Sequence, residues 1–136
     1  MISKLGTAGQ TKDEVKNGLF DQGTQFFTVG ANWDFEDNPN GLRHTAGSLE
    51  TFSQDLANAT HTTITYNIKY FTSGLTAGSF VVKAGSGDIA AVTTSTNGWH
   101  NFDSVFTTDT VLSFTPTTDF DGKISAIVVR KLKKQP

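Results

Sequence analysis

The chain has 136 residues, a formal net charge of −2 and no cysteine. That length suits one domain able to bury a core. The missing thiols exclude disulfides and thiolate metal centres, and the mild acidity gives no overall basic field for nucleic acid. Eleven Phe against a single Met, with charged residues at 18%, point to a core of rings and β-branched groups, hence to sheets. Met1 to Gln10 lacks the apolar segment and small-residue cleavage site of a secretory signal. No apolar run approaches the roughly 20 residues of a membrane span, so a protein made and soluble in the cytoplasm is expected, with no membrane partner.

Residues 1–18 are small and polar, with Ile2 and Leu5 as isolated apolar anchors. Thr11-Lys12-Asp13-Glu14 reads as a capping box, Val15 follows, and Gly18 is a natural stop, which predicts one short helical turn in an otherwise extended arm. From Leu19 the periodicity becomes that of strands. Phe26, Phe27 and Val29 form a short apolar segment, and Trp33 and Phe35 alternate with polar residues on what should be one core-facing strand face. Asn38-Pro39-Asn40-Gly41 is a strong turn. Short strands are expected at Leu42 to His44, Leu49 to Phe52 and Ile89 to Val92.

Thr62 to Phe71 carries the clearest alternation in the chain. Ile64, Tyr66, Ile68 and Tyr70 share one face, and Thr63, Thr65, Asn67 and Lys69 share the other. This is an antiparallel strand with a buried and a wet side, the tyrosine hydroxyls reaching the rim. Ser73-Gly74 and Ala77-Gly78 flank a loop, and Phe80, Val82 and Ala84 resume the alternation. Asn97-Gly98 is the tightest hairpin signal and leads into Trp99, Phe102, Val105 and Phe106. The chain ends in two strands, Thr110 to Pro116 and a return through Ile124, Ala126 and Val128, expected to pair as a hairpin around Thr117 to Gly122. The whole reads as an all-β, antiparallel jelly roll or β-sandwich of about eight to ten strands. An extended N-terminal arm (1–18) precedes the sandwich (19–136).

Several segments together resemble a jelly-roll domain that recurs in bacteriophage virion proteins and, more distantly, in carbohydrate-binding modules. They are NWDF, GLRHTAG, TTITYNIKYF, TAGSFVVKAG, NGWHNFDSVF and LSFTPTTDFDGKISAIVVRK, the last being the most specific. The resemblance implies a virion structural protein. Its first expectation is a head decoration or cement protein, a homotrimer on the head surface that binds the major capsid protein or other virion proteins. The arm would then do the binding, through Ile2, Leu5, Val15, Leu19 and Phe20. The alternative is a tail-fibre or baseplate accessory, or an adhesin module recognising host-surface glycans.

Trp99, with His100 beside it, follows a tight turn and could present a ring to a sugar face. The competing explanation is an edge-strand aromatic packed on the core or on a neighbouring subunit. Trp33 reads as core. Asp119 and Asp121 flank Phe120 before Gly122, an ordinary turn composition rather than a calcium loop, and Asp34, Glu36 and Asp37 read the same way. His44, His61 and His100 lack zinc-ligand spacing. The basic tail, Arg130, Lys131, Lys133 and Lys134, reads as a solvated terminus. With no nucleophile elbow, phosphate loop or dinucleotide fingerprint, the chain is expected to be a non-enzyme without metal or cofactor.

Overall fold

The computed structural model describes residues 12–56, 59, 64–86 and 91–132. The alternating segments become ten strands: β1 (Thr28–Val29), β2 (Trp33–Glu36), β3 (Gly41–His44), β4 (Phe52–Asp55), β5 (Thr65–Ala77), β6 (Phe80–Ala84), β7 (Val92–Thr94), β8 (Gly98–Val105), β9 (Val111–Pro116) and β10 (Asp121–Lys131). They form two antiparallel five-stranded sheets. The first has the order β1-β4-β9-β6-β7 and the second β2-β3-β10-β5-β8. The fold is an all-β sandwich, as the alternation and turn spacing predict, and the described residues include no helix.

The core is a ladder of rings between the sheets. Phe52 of β4 stacks on Phe114 of β9 with centroids 4.6 Å apart, and Trp33 of β2 meets Phe52 edge-on at 4.7 Å. Tyr70 of β5 meets Phe114 edge-on, and Phe80 of β6 packs on Phe120 at 5.2 Å. Each such pair adds about 0.5–1.5 kcal/mol beyond the area it buries. Trp33 also donates its indole N–H to the Glu50 carbonyl at 2.7 Å, so its one polar atom is satisfied. Phe35, on the same strand parity, is exposed instead. β2 is an edge strand with no neighbour beyond it, which leaves that ring an open side.

Two expected hairpins are not hairpins. β9 pairs with β4 and β6, whereas β10 pairs with β3 and β5, so the turn between them carries the chain from one sheet to the other. The cause is Phe120, fully buried in that turn and packed against Trp33, His44 and Phe80. A chain folding straight back would leave that ring in water. Asn97-Gly98 likewise joins β7 of the first sheet to β8 of the second, and the Asn97 side chain accepts from the Leu75 amide at 3.0 Å. Turn chemistry marks where the chain reverses, but burial decides which sheet it enters. Asn38 to Asn40 does join two paired strands, β2 and β3.

Two irregularities reset which residues face inward. β5 runs on through Ser73-Gly74, where a loop was expected, and Gly74 (φ +61°) sits in a register shift against β10. β10 carries one extra residue between Ser125 and Val128, with Ala126 at φ +51°. The bulge reverses the facing. Ile124, Ile127 and Val129 are all fully buried, while Ala126 and Val128 are only partly so. Sequence alternation alone had set Ile124 with Ala126 and Val128.

The helical turn expected after Thr11 does not form over the described residues. Thr11 itself, with Ile2 and Leu5, lies outside them. Asp13 bridges to Arg130, the Glu14 amide donates to the Val129 carbonyl at 2.8 Å, and the Ile127 amide donates to Gly18 at 3.0 Å. Residues 13–18 thus take the edge of β10 that β3 vacates after Ile124. Leu49 is exposed and β4 begins only at Phe52. β7 begins at Val92, residues 87–90 lying outside the described set.

Candidate functional site on the outer face of the second sheet

Strand parity places three rows of side chains on the outer face of β8, β5 and β10. The register opposes Trp99 to Phe71, then Asn101 to Lys69 and Lys69 to Val128, then Asp103 to Asn67 and Asn67 to Arg130. The opposite parity of β5, comprising Tyr66, Ile68, Tyr70 and Thr72, is buried in the core. Trp99 is 56% exposed, the larger of two rings on this platform. Phe71 lies beside it across the strand pair, centroids 5.1 Å apart and tilted by 59°, and the Lys69 ammonium sits over the indole, 4.7 Å from its centroid. Asn67 donates to the side-chain oxygens of Asn101 (3.3 Å) and Asp103 (2.9 Å).

An exposed ring beside amides, a carboxylate and an ammonium can do two things together. The ring offers an apolar, polarisable plane to the C–H face of a pyranose. The polar row offers both donors and acceptors to hydroxyls at its edge.

His100 does not join Trp99. It has the opposite strand parity, with its ring 5.6 Å from buried Tyr70 and Nε2 donating to the Thr96 carbonyl at 2.9 Å. Adjacent residues on a strand point to opposite faces, so only Trp99 of that pair looks outward. Alternation in the sequence separates Asn67 and Lys69 from the core. The overlooked signal is Phe71, an aromatic on the polar parity of β5. Asn101 and Asp103 needed the β5–β8 register.

The arm residues divide. Val15 and Phe20 are buried in this chain's own core, with Phe20 stacked on Phe27 at 4.8 Å, so neither offers its side chain to another protein. Leu19 is 59% and Phe26 51% exposed. They line a shallow cleft with Lys16, Asn17, Ile127 and Val128.

Tyr70 and Tyr66 are core residues, but the Tyr70 hydroxyl is not at a rim. It is hydrogen-bonded at 2.6 Å to Thr94 Oγ1 between the sheets. Burial pushes its pKa above the ordinary value, and the Thr94 bond partly opposes this. Asp119 accepts from Thr117 Oγ1 at 2.7 Å, and Asp121 is ion-paired with Arg43, so both serve the crossing turn. Glu36 pairs with Lys123, whose ammonium also donates to the Asp37 and Pro39 carbonyls at 3.1 and 2.8 Å. His44 is buried with Nδ1 donating to the Phe120 carbonyl at 2.8 Å. His61, Lys133 and Lys134 lie outside the described residues. Among the described residues no group of three His, Asp or Glu could hold a metal ion, and no helix is long and apolar enough to cross a membrane.

Neither a protein-family model nor a curated protein matches the sequence. Solved structures do. A module titled Family 16 Carbohydrate Binding Module-2 aligns with a TM-score of 0.62 at 14% identity, covering 86% of this chain and 99% of that one. The CBM22-1 xylan-binding domain of Paenibacillus barcinonensis Xyn10C aligns at 0.60 and 16%, covering 92% and 97%. The chain shares its two-sheet β-sandwich fold with these modules. An enzymatically active domain of tailspike protein 4 from bacteriophage CBA120 aligns at 0.58 and 10%, covering 88% of this chain but 21% of that one. At these identities the likeness is one of fold.

Proposed function

We propose that this protein is a non-catalytic glycan-binding module whose sugar stacks on Trp99. The observation that carries this is a tryptophan more than half exposed on a sheet face, packed on Phe71, with the polar row of Asn101, Asn67 and Asp103 continuing along the same face. Isolated exposed aliphatics need no explanation, but a braced indole beside an amide–carboxylate row is costly surface to keep in water. The module-like fold supports the reading, and it favours glycan recognition over capsid cementing.

The test is a glycan array read with the wild type and with Trp99→Ala. The variant should lose array binding by at least about tenfold, equivalent to ~1.4 kcal/mol, with its melting temperature unchanged. A blank wild-type array, or a variant that binds as well as wild type, sinks the proposal.

A second reading, attachment to a virion lattice as a trimer, is favoured by the adjacent exposure of Leu19 and Phe26. Its setting would be the head surface or the tail of a phage particle, and its partner the major capsid protein or another virion protein. A trimer mass by light scattering supports it; a monomer removes the trimer.

A further inference from the structure

We propose that the sugar taken by the Trp99 face is acidic, with its anionic substituent seated against Lys69. The proposal deepens the glycan-binding reading and rests on it.

The argument is one of unmatched charge. Lys69 is exposed at the centre of the three rows, and its ammonium lies over the Trp99 ring, 4.7 Å from the centroid. Lys69 takes no part in the ion pairs of Arg43 with Asp121 and Lys123 with Glu36. The carboxylate of these rows is already engaged: Asp103 accepts from Asn67 at 2.9 Å. Asp103 also stands four residues along β8 from Trp99, about 13 Å at the rise of a strand. The Lys69 cation therefore sits next to the ring, whereas Asp103 stands at the far end in one row with Asn67 and Arg130.

A saccharide lying along β8 with its ring on Trp99 would meet the ammonium first and the Asn101–Asp103 edge second. A carboxylate or sulfate on the stacked residue gains a charge-assisted hydrogen bond from Lys69. Neutral hydroxyls suit the amide and carboxylate end. A purely neutral ligand would instead have to displace or desolvate the ammonium for nothing in return.

The experiment uses matched pairs on one array: tri-galacturonate with its methyl ester, sialyllactose with lactose, and a chondroitin disaccharide with and without sulfate. Wild type, Lys69→Gln, Lys69→Arg and Trp99→Ala are compared. The acidic member should be preferred in at least one pair, and the preference should fall as salt is raised. Lys69→Gln should reduce acidic binding about two- to fivefold and so narrow the acidic-over-neutral preference, while Lys69→Arg retains it. Which pair responds separates carboxylate from sulfate. Equal binding of both members by the wild type, or acidic binding that is stronger in Lys69→Gln, overturns the inference: the lysine is then a cover over the ring, and the glycan reading stands if Trp99→Ala still abolishes binding. If no member of any pair binds, both fall.

Discussion

Tyr70 shows how one buried hydroxyl couples the two sheets to pH. Its ring lies between Phe80 and Phe114, and its oxygen meets Thr94 of β7 across the core. Burial holds the phenol neutral to a higher pH than in the unfolded chain. The folded state therefore binds the proton more tightly. Its contribution is complete below the unfolded value of about 10 and is lost as pH rises through the higher folded value. Melting temperatures measured from pH 8 to 11.5 should decline above pH ~10. Tyr70→Phe should start lower at neutral pH, by about 1 kcal/mol for the lost hydrogen bond, and decline less steeply. An equally steep decline in Tyr70→Phe assigns the effect elsewhere.

The crossings from β5 to β6 and from β9 to β10, each passing from one sheet to the other, depend on one close approach. A Cβ at Gly78 (φ +74°), which follows β5, would lie 2.5 Å from the backbone N and Cα of Phe120, in the turn between β9 and β10. The Thr117 amide donates to the Ser79 carbonyl at 2.8 Å beside it. Both crossings can be this tight only with no side chain between them. Gly23 (φ +65°) also has left-handed geometry but nothing within 4 Å of its Cβ position. Gly23→Ala should therefore cost about 1 kcal/mol for the backbone conformation alone, and Gly78→Ala about 2–4 kcal/mol because backbone must move as well. Chemical denaturation compares them directly. Equal losses would show that the crossing is not tight.

For the molecule as a whole, residues 13–18 are tied to the second sheet by an isolated bridge and two backbone hydrogen bonds to β10. They cover the free edge of β10 and bury Val15. Deleting residues 1–18 should cost about 3 kcal/mol or more in lost burial and uncovered amides. The melting temperature should fall on the order of 10 °C. Leu19→Asp, at an exposed side chain, should leave it unchanged. Particle attachment lost in Leu19→Asp at full stability would support the virion reading, whereas loss only on deletion would be explained by unfolding. Differential scanning calorimetry separates the two.

The sequence by itself determined the class of fold, the buried face of β5 and the assignment of Trp33, Asp119 and Asp121, because two-residue alternation and turn composition are local properties of the chain. It also singled out Trp99. Only the tertiary structure decided that the last two strands lie in different sheets, that Ala126 reverses the facing of β10, and that Val15 and Phe20 are core. It alone set Phe71 and Lys69 against the indole and the Asn101–Asn67–Asp103 row along the same face. Those facts depend on which strand lies beside which, and the pairing is chosen by where large rings such as Phe120 find burial.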